Sequence, residues 1–335
     1  MLDVAALAGV GLTTVSRVVN GKAGVSPATI ARVTAAIERL DYRHNVNASA
    51  LRRSDRKTAA IGLLLEDVAN PFMSALHRAV EDCARTRGLI VFAGSCDEQD
   101  DVERELVAAF RARRVDGILI VPAGADHSYL LSELRLGTPI VFVDRPPRFL
   151  DADSVTSDDA GGVREAVSHL VRAGHRRIGY LGAVLKIVTA AERLRGYTEG
   201  LAAAGLPFDE TIVRTGLHTI EEAERATAAL LLAQPNPPTA LLSGQNYFTI
   251  GAIKALRALG LQHRVAVVGH GDFLLADAVD PATTVVSHDP AELGRTAAEL
   301  LFRRLDGDRS PTQRIVLPTH LIPRGSGEIP APART

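Results

Sequence analysis

The chain of 335 residues has few cysteines, no long apolar run and almost no net charge. Its two cysteines, Cys83 and Cys96, lack the spacing of metal ligands and form no C-x-x-C motif, so we expect free thiols and no metal site. Free thiols are typical of a reducing cytosol. No apolar stretch approaches the roughly 20 residues of a membrane span. The sequence therefore excludes a disulfide scaffold and a membrane partner, and predicts a cytoplasmic protein.

Motifs of the common enzyme classes are absent as well. No G-x-G-x-x-G follows the first predicted strand, and the chain contains no Walker A loop, nucleophile elbow or H-E-x-x-H. A catalytic triad cannot be assembled from local spacing. We therefore expect no catalytic residue and no cofactor, and we predict that the protein is not an enzyme.

Charge is unevenly distributed along the chain. Residues 1–57 contain nine basic and four acidic residues, so this segment has a net charge of +5, whereas the remainder has a net charge of −6. A basic head on an acidic body is typical of proteins that bind nucleic acid.

The first forty residues have the pattern of a helix-turn-helix. A short apolar helix, a turn at Gly9 and Gly11, and a second helix with a polar side occupy residues 3–20. A third helix is predicted to begin here, with Ser26 as its N-cap and Pro27 at its first position. Its apolar residues share one face at helical spacing and are predicted to be core: Ile30, Val33, Ile37 and Leu40. In this motif the second helix lies in the DNA major groove.

Residues 41–57 are too polar for a core and offer one short helical possibility, 46–51. From the residues alone, this segment is either a plain linker, which is the commoner case for a basic solvated stretch, or a linker with a role.

From Thr58 onward, strands alternate with amphipathic helices, which predicts parallel sheets covered on both faces. Two successive series predict two lobes. The apolar strand-like runs are 61–65, 89–92, 117–121, 139–143, 177–181, 240–242 and 265–268.

Polar residues cluster where these strands end. Ligands of such folds bind at the carboxyl ends of the strands, so the clusters predict a pocket for a polar ligand between the lobes. One such residue alone is more often a helix cap or a solvated loop residue. The residues at the predicted strand ends are Glu66, Asp67, Asn70, Asp144, Arg145, Thr189, Glu192, Arg193, Gln245, Asn246, Tyr247, His270, Asp272, His288 and Asp289. Phe72 and Tyr247 would suit the apolar face of a sugar ring or a base.

Several motifs make the whole chain resemble a LacI/GalR-family transcriptional regulator. They are DVAALAGV and TTVSRVVNG within 3–21, VSPAT at 25–29, N-x-x-A-x-x-L at 45–51, NPF at 70–72, RRVDGILI at 113–120, GHRRIGYLG at 174–182, ERLRGY at 192–197 and DPAELGRTAAELL at 289–301. The resemblance implies a small all-α helix-turn-helix head and an α/β two-lobed body, like that of periplasmic binding proteins, with parallel sheets.

The resemblance also implies domain limits. It places the head at 1–44, a hinge helix and linker at 45–57, and an effector-binding and dimerisation domain at 58–335. Within that domain the N-lobe is expected at about 58–157 and 288–316, and the C-lobe at about 158–287 and 317–326.

Functional residues follow from matching positions. Leu12, Thr13 and Arg17 match residues that reach base edges, and Leu51 beside Ala48 matches the hinge leucine that enters the minor groove. The other DNA-binding positions, several of them near phosphates, are Thr14, Ser16, Asn20, Ser26 and Thr29. The implied effector-binding positions are Asn70, Phe72, Asp144, Thr189, Arg193, Gln245, Asn246, Asp272 and His288. Asp272 is included because Gly271 stands where the family commonly has an effector-binding Asp.

The implied partners are double-stranded operator DNA with a pseudo-palindromic sequence, a small polar effector such as a sugar, and a second copy of the chain. An extracytoplasmic sugar-binding protein of a transporter would share the body. It would need a secretory signal and no recognition helix, and residues 1–57 disfavour it, since Asp3 precedes the apolar run in place of a basic start.

Overall fold

The computed structural model describes residues 1–19, 23–42, 58–233 and 235–333. The chain divides into two compact units, Met1–Thr58 and Ala59–Thr335. The predicted positions Asn20, Ala48 and Leu51 lie outside the described residues.

The described part of the first unit contains three helices, α1 (Leu2–Ala8), α2 (Leu12–Val19) and α3 (Pro27–Arg39). Gly9 ends α1 with φ 62°, a left-handed conformation that favours glycine. The predicted start of α3 is confirmed, because the side chain of Ser26 accepts a hydrogen bond from the backbone N–H of Thr29 and Pro27 opens the helix. These turns bring α1 and α2 onto one side of α3.

The core of this unit differs from the predicted one. Val33 and Ala36 are the fully buried residues of α3, whereas Ile30 and Leu40 are 43% and 42% exposed, so their prediction as core was wrong. Leu40 lies beyond the last residue of α3 as its C-cap, and the buried core of the unit combines Val33 and Ala36 with residues of α1 and α2. Helical spacing marks one face of α3 but does not say which turns of that face are covered.

The second unit contains two six-stranded sheets, and we call each sheet with its helices a lobe. The first sheet is entirely parallel, in the order β2-β1-β3-β4-β5-β11. Its strands are β1 (Ala60–Leu65), β2 (Ile90–Ser95), β3 (Gly117–Ile120), β4 (Ile140–Asp144), β5 (Asp153–Ser157) and β11 (Arg314–Leu317). The helices that cover it are α4 (Pro71–Thr86) and α11 (Pro290–Leu305) on one face, with α5 (Asp100–Ala112) and α6 (Leu131–Arg135) on the other.

The second sheet has the order β7-β6-β8-β9-β10-β12, and β12 is its one antiparallel strand. Its strands are β6 (Ile178–Leu181), β7 (Val213–Arg214), β8 (Ala240–Ser243), β9 (Ala266–His270), β10 (Thr284–Ser287) and β12 (His320–Ile322). The helices that cover it are α7 (Asp159–Arg172) and α8 (Val188–Ala203) on one face, with α9 (Ile220–Leu232) and α10 (Asn246–Ala258) on the other. Short 3₁₀ helices lie at Ser128–Leu130 and Glu210–Ile212.

The chain passes between the lobes three times, after β5, after β10 and after β11. All seven predicted apolar strands are present, which confirms the two-lobed α/β prediction. The apolar runs do not include β5, which reads DSVTS, or the short strands β7, β10, β11 and β12, although a strand was expected to end before His288. Pairing with neighbouring strands, rather than an apolar run, forms β5 between β4 and β11.

Among the described residues, no single helix is long and apolar enough to cross a membrane. Only α1 and α2 taken together pass that test, and they are bent by 100°.

Close packing of α7 against α8 generates a first prediction. A Cβ atom on Gly196 of α8 would lie 2.4 Å from the carbonyl oxygen of Ala160. Gly196→Ala should therefore lower the free energy of unfolding by about 1–3 kcal/mol, because backbone must move to make room. Ala202→Ser adds one atom to an exposed position of the same helix and should change it by less than about 0.5 kcal/mol. Urea unfolding measures both, and equal effects would contradict the prediction.

Candidate functional site

A cavity with about 540 Å³ of unfilled space lies between the two lobes of the second unit. Its walls come from the carboxyl ends of strands in both sheets and from the starts of α4, α8 and α10. The lining residues are Glu66, Asn70, Phe72, Met73, Glu98, Asp144, Arg145, Ala183, Ile187, Thr189, Ala190, Arg193, Gln245, Asn246, His270, Gly271 and His288.

Eight of the nine predicted effector positions line this cavity. The exception is Asp272, whose carboxylate accepts two hydrogen bonds from Arg324, at 2.8 and 2.6 Å. Gly271 lies at the cavity with φ 83°, and the residue after this turn pairs with Arg324 instead. The structure therefore gives no support for Asp272 as a ligand contact.

Four charged or polar lining residues are absent from the effector positions that the resemblance implied. Three of them, Glu66, Arg145 and His270, were nevertheless expected near the pocket because they stand at predicted strand ends. Glu98 follows β2 by three residues, and only the folded chain brings it to the cavity.

Arg145 is buried and joins the strand ends of the first lobe. Its Nη1 and Nη2 donate to the two carboxylate oxygens of Glu98, at 2.8 and 2.6 Å. Nη1 also donates to the carbonyl oxygen of Pro122 at 2.9 Å, and Nη2 to Glu66 at 3.3 Å. These partners follow β1, β2 and β3, so one side chain fixes three loops at the cavity wall.

Asp144 precedes Arg145 in a tight three-residue turn. Its φ is 68°, and the N–H of Arg145 donates to the carbonyl oxygen of Val143 at 2.7 Å. Burial raises the pKa of the Asp144 carboxyl to about 6, although Arg145 opposes the shift. The turn places an acidic and a basic side chain from adjacent positions in the same cavity.

Arg193 of α8 plays a corresponding part in the second lobe. Its Nε donates to Oδ1 of Asp159 at 2.8 Å, and its Nη1 donates to the carbonyl oxygen of Gly244 at 2.9 Å. Nε2 of His270 lies 3.2 Å from the same Asp159 oxygen. Burial opposes ionisation of Asp159, but Arg193 and His270 outweigh it and hold the pKa of this carboxyl below its usual range.

One wall of the cavity combines three rings. The centroids of Phe72 and His288 are 4.4 Å apart, and the ring of His270 lies 4.9 Å from that of His288. Burial lowers the pKa of both histidines, so both imidazoles are neutral near pH 7. Nδ1 of His288 is buried without a hydrogen-bond partner among the described residues. This wall thus offers an apolar surface with an unpaired polar atom.

A direct hydrogen bond joins the lobes across the cavity. Nδ2 of Asn246, at the start of α10, donates to Oδ1 of Asn70 at 3.1 Å, and both side chains are buried. Oδ1 of Asn70 also accepts from the N–H of Phe72 as the N-cap of α4. This hydrogen bond therefore joins the starts of α4 and α10.

The helix-turn-helix unit exposes the residues predicted to bind DNA. On α2, Val15 is buried, while Leu12, Thr13 and Arg17 are exposed. Thr14, Ser16 and Thr29 are half-buried, and Ser26 is exposed. The recognition positions thus form the outer face of α2.

The comparisons with known proteins agree with these two units. Residues 1–45 match the model of the lacI family of bacterial regulatory proteins, and residues 167–327 match a periplasmic binding protein-like domain. The transcriptional regulator CelR of Thermobifida fusca is 35% identical, and the match covers 97% of each chain. A solved complex of CelR with cellobiose is 33% identical with a TM-score of 0.72, covering 97% of this chain and 98% of that one. A lac repressor dimer bound to operator and the anti-inducer ONPF is 27% identical with a TM-score of 0.84, with the same coverage.

The chain belongs to the lacI family of bacterial regulatory proteins. It is a DNA-binding transcriptional regulator, which confirms the function that the sequence predicted. These relatives are regulators of transcription rather than enzymes.

The buried carboxyl group of Glu66, close to those of Glu98 and Asp144 in the cavity, generates a prediction about pH. Burial raises the pKa of Glu66 from its ordinary value of 4.5 to about 7, against the opposing effect of Arg145. Between pH 4.5 and 7 the folded chain keeps a proton that the unfolded chain releases, so the contribution of Glu66 to the free energy of unfolding falls as pH rises. Glu66→Gln should remove about 1–3 kcal/mol of that decline.

Chemical unfolding at pH 5 and pH 8 measures this difference. Glu105→Gln, at an exposed position of α5, is the control and should behave like the unmodified chain. The titration of His270 and His288 is common to all three proteins and cancels in the comparison. Equal pH dependence of the unmodified chain and Glu66→Gln would contradict the prediction.

Proposed function

We propose that this regulator is a repressor whose affinity for a pseudo-palindromic operator is controlled by a sugar bound in the cavity between the lobes. The observation that carries the proposal is the cavity itself, because it combines buried polar groups from both lobes with an apolar wall at Phe72. The relatives support it, since CelR binds cellobiose and the lac repressor dimer binds an operator and an anti-inducer. The proposed work of this cavity is ligand binding without turnover, in a cytoplasmic protein that occupies the nucleoid when bound to DNA.

The exposed face of α2 is the proposed reader of base pairs. Arg17 can donate two hydrogen bonds to a guanine, and the methyl groups of Leu12 and Thr13 suit contact with a thymine methyl. Ser26 and Thr29, at the start of α3, are placed to contact phosphates, which position the protein without reading sequence.

The segment 45–57 is the proposed hinge between the head and the effector-binding domain. Ala48 and Leu51 are assigned to it from sequence alone, and insertion of Leu51 between base steps would bend the operator. The second compact unit begins at Ala59, directly after this segment and Thr58.

The proposed dimer follows from apolar surface that the second unit leaves exposed. The edge strand β2 exposes Ile90 (63%) and Phe92 (39%), and the loop after β9 exposes Leu274 (83%) and Leu275. An open edge strand with apolar side chains invites pairing with another chain, and a second copy of this chain is the partner that two-fold operators require.

Arg17 provides the test of DNA reading. Arg17→Ala should weaken binding to the operator by about 1–3 kcal/mol and relax preference at one base pair of each half-site. Arg39→Ala removes the same charge from the exposed last turn of α3 and should leave base preference unchanged. Titration of operator variants at fixed salt measures both, and equal loss on operator and random DNA would reduce Arg17 to a phosphate contact.

Sugar binding is tested best at Phe72. Arg193 is unsuitable for truncation because Arg193→Ala would leave the buried Asp159 without its guanidinium partner and destabilise the lobe. A thermal-shift screen of a carbohydrate library should find a stabilising sugar, and calorimetry should show its Kd rising about tenfold or more in Phe72→Ala, through loss of the apolar wall.

The control is Phe208→Ala, since Phe208 is half exposed and contacts Tyr197 rather than the cavity. Undiminished binding in Phe72→Ala would mean that the sugar binds elsewhere.

A further inference from the structure

Whether the cavity can bind a charged effector depends on whether its own cationic side chains are already paired with acidic residues. Among its lining residues, Arg145 and Arg193 carry the positive charge, because burial keeps His270 and His288 neutral near pH 7. These two guanidinium groups are the full positive charges that the lining offers to a carboxylate or phosphate on a ligand.

Arg145 is already neutralised. Both of its terminal nitrogens donate to Glu98 in a bidentate pair, and Nη2 has a second acceptor in Glu66. Its Nε faces Asp144 at 3.6 Å. Three carboxyl groups therefore surround one guanidinium group. A ligand anion would have to displace the bidentate Glu98 carboxylate, and it would also lie beside the negative charges of the other carboxylates.

Arg193 is paired as well. Its Nε binds Asp159, and its Nη1 binds the carbonyl oxygen of Gly244. These contacts leave Nη2 and the second N–H of Nη1 as donors for a ligand. Asp144 lies close enough to Arg193 for their charges to influence each other, so a ligand anion at Nη2 would again approach a carboxyl group.

In contrast to anions, hydroxyl groups on a ligand are favoured by the lining of this cavity. A hydroxyl donates to a carboxylate and accepts from an amide or a guanidinium, and Glu66, Asp144, Gln245 and Asn246 provide such partners around the cavity. The unpaired Nδ1 of His288 adds one more polar atom for a hydroxyl. The lining therefore suits a ligand with many hydroxyls and no charge.

We propose that Glu98 determines the charge selectivity of this cavity: by occupying the guanidinium of Arg145, it excludes anionic analogues of the proposed sugar. This rests on the proposed sugar-binding function and specifies its ligand. It assigns Glu98 as a residue that determines specificity, in addition to the positions that the sequence predicted.

The experiment compares sugar acids with their neutral amides, which differ in charge but hardly in size. Calorimetry at pH 8 measures the affinity of the full-length chain for glucuronate and glucuronamide, galacturonate and galacturonamide, glucose, galactose, cellobiose and glucose 6-phosphate. We expect neutral compounds to bind and each acid to bind at least tenfold more weakly than its amide. Glu98→Gln should reduce that ratio severalfold, because it removes a carboxylate and releases Arg145.

Glu105→Gln has the same change of charge on the exposed face of α5 and should keep the full ratio. Glu66→Gln removes a different carboxyl from the same guanidinium and should also reduce the ratio, so the test stands if Glu98→Gln folds poorly. An acid or glucose 6-phosphate that binds the unmodified chain as tightly as the neutral sugars would overturn the inference, as would an unchanged ratio in both cavity variants. Failure of every neutral sugar to bind would instead contradict the proposed sugar effector itself.

Discussion

The geometry of the cavity wall depends on the hydrogen bonds of the Arg145 guanidinium group. It ties together the loops that follow β1, β2 and β3 through Glu66, Glu98 and the carbonyl oxygen of Pro122. Arg193 does the corresponding work in the second lobe through Asp159 and Gly244. Parallel sheets bring strand ends to one edge, but the loops beyond them need such ties to hold side chains at fixed positions.

These buried charges are better explained by geometry than by stability. Desolvation of a buried ion pair can cost as much as the pair gains, and the raised pKa values of Glu66 and Asp144 show that burial outweighs the attraction of Arg145 for those carboxyls. Losing either arginine would nevertheless leave buried carboxylates without a partner. The chain therefore keeps a costly network because it presents a preformed set of donors and acceptors to a ligand.

The same arrangement explains how a ligand can act as a switch. Asn246 and Asn70 form a single hydrogen bond between the lobes, and such a bond contributes about 1 kcal/mol. A polyhydroxyl ligand that contacts both lobes forms several such bonds at once. Its effect on DNA binding is limited to its difference in affinity for the two arrangements of the body.

The sequence by itself determined the local features of this protein. Ser26 and Pro27 start α3 through neighbouring atoms, and the continuous apolar runs form strands, all of them buried except the edge strand β2. Strand-end polarity also placed Asn70, Asp144 and Asn246 at one cavity. Tertiary structure decided the rest. Ile30 and Leu40 are exposed although they continue the apolar stripe that contains Val33, and β5 is a strand because two neighbours pair with it. Asp272 pairs with Arg324, 52 positions away, while Glu98 reaches Arg145 across 47 positions. Partners so distant in the chain are chosen by packing, and no local pattern encodes them.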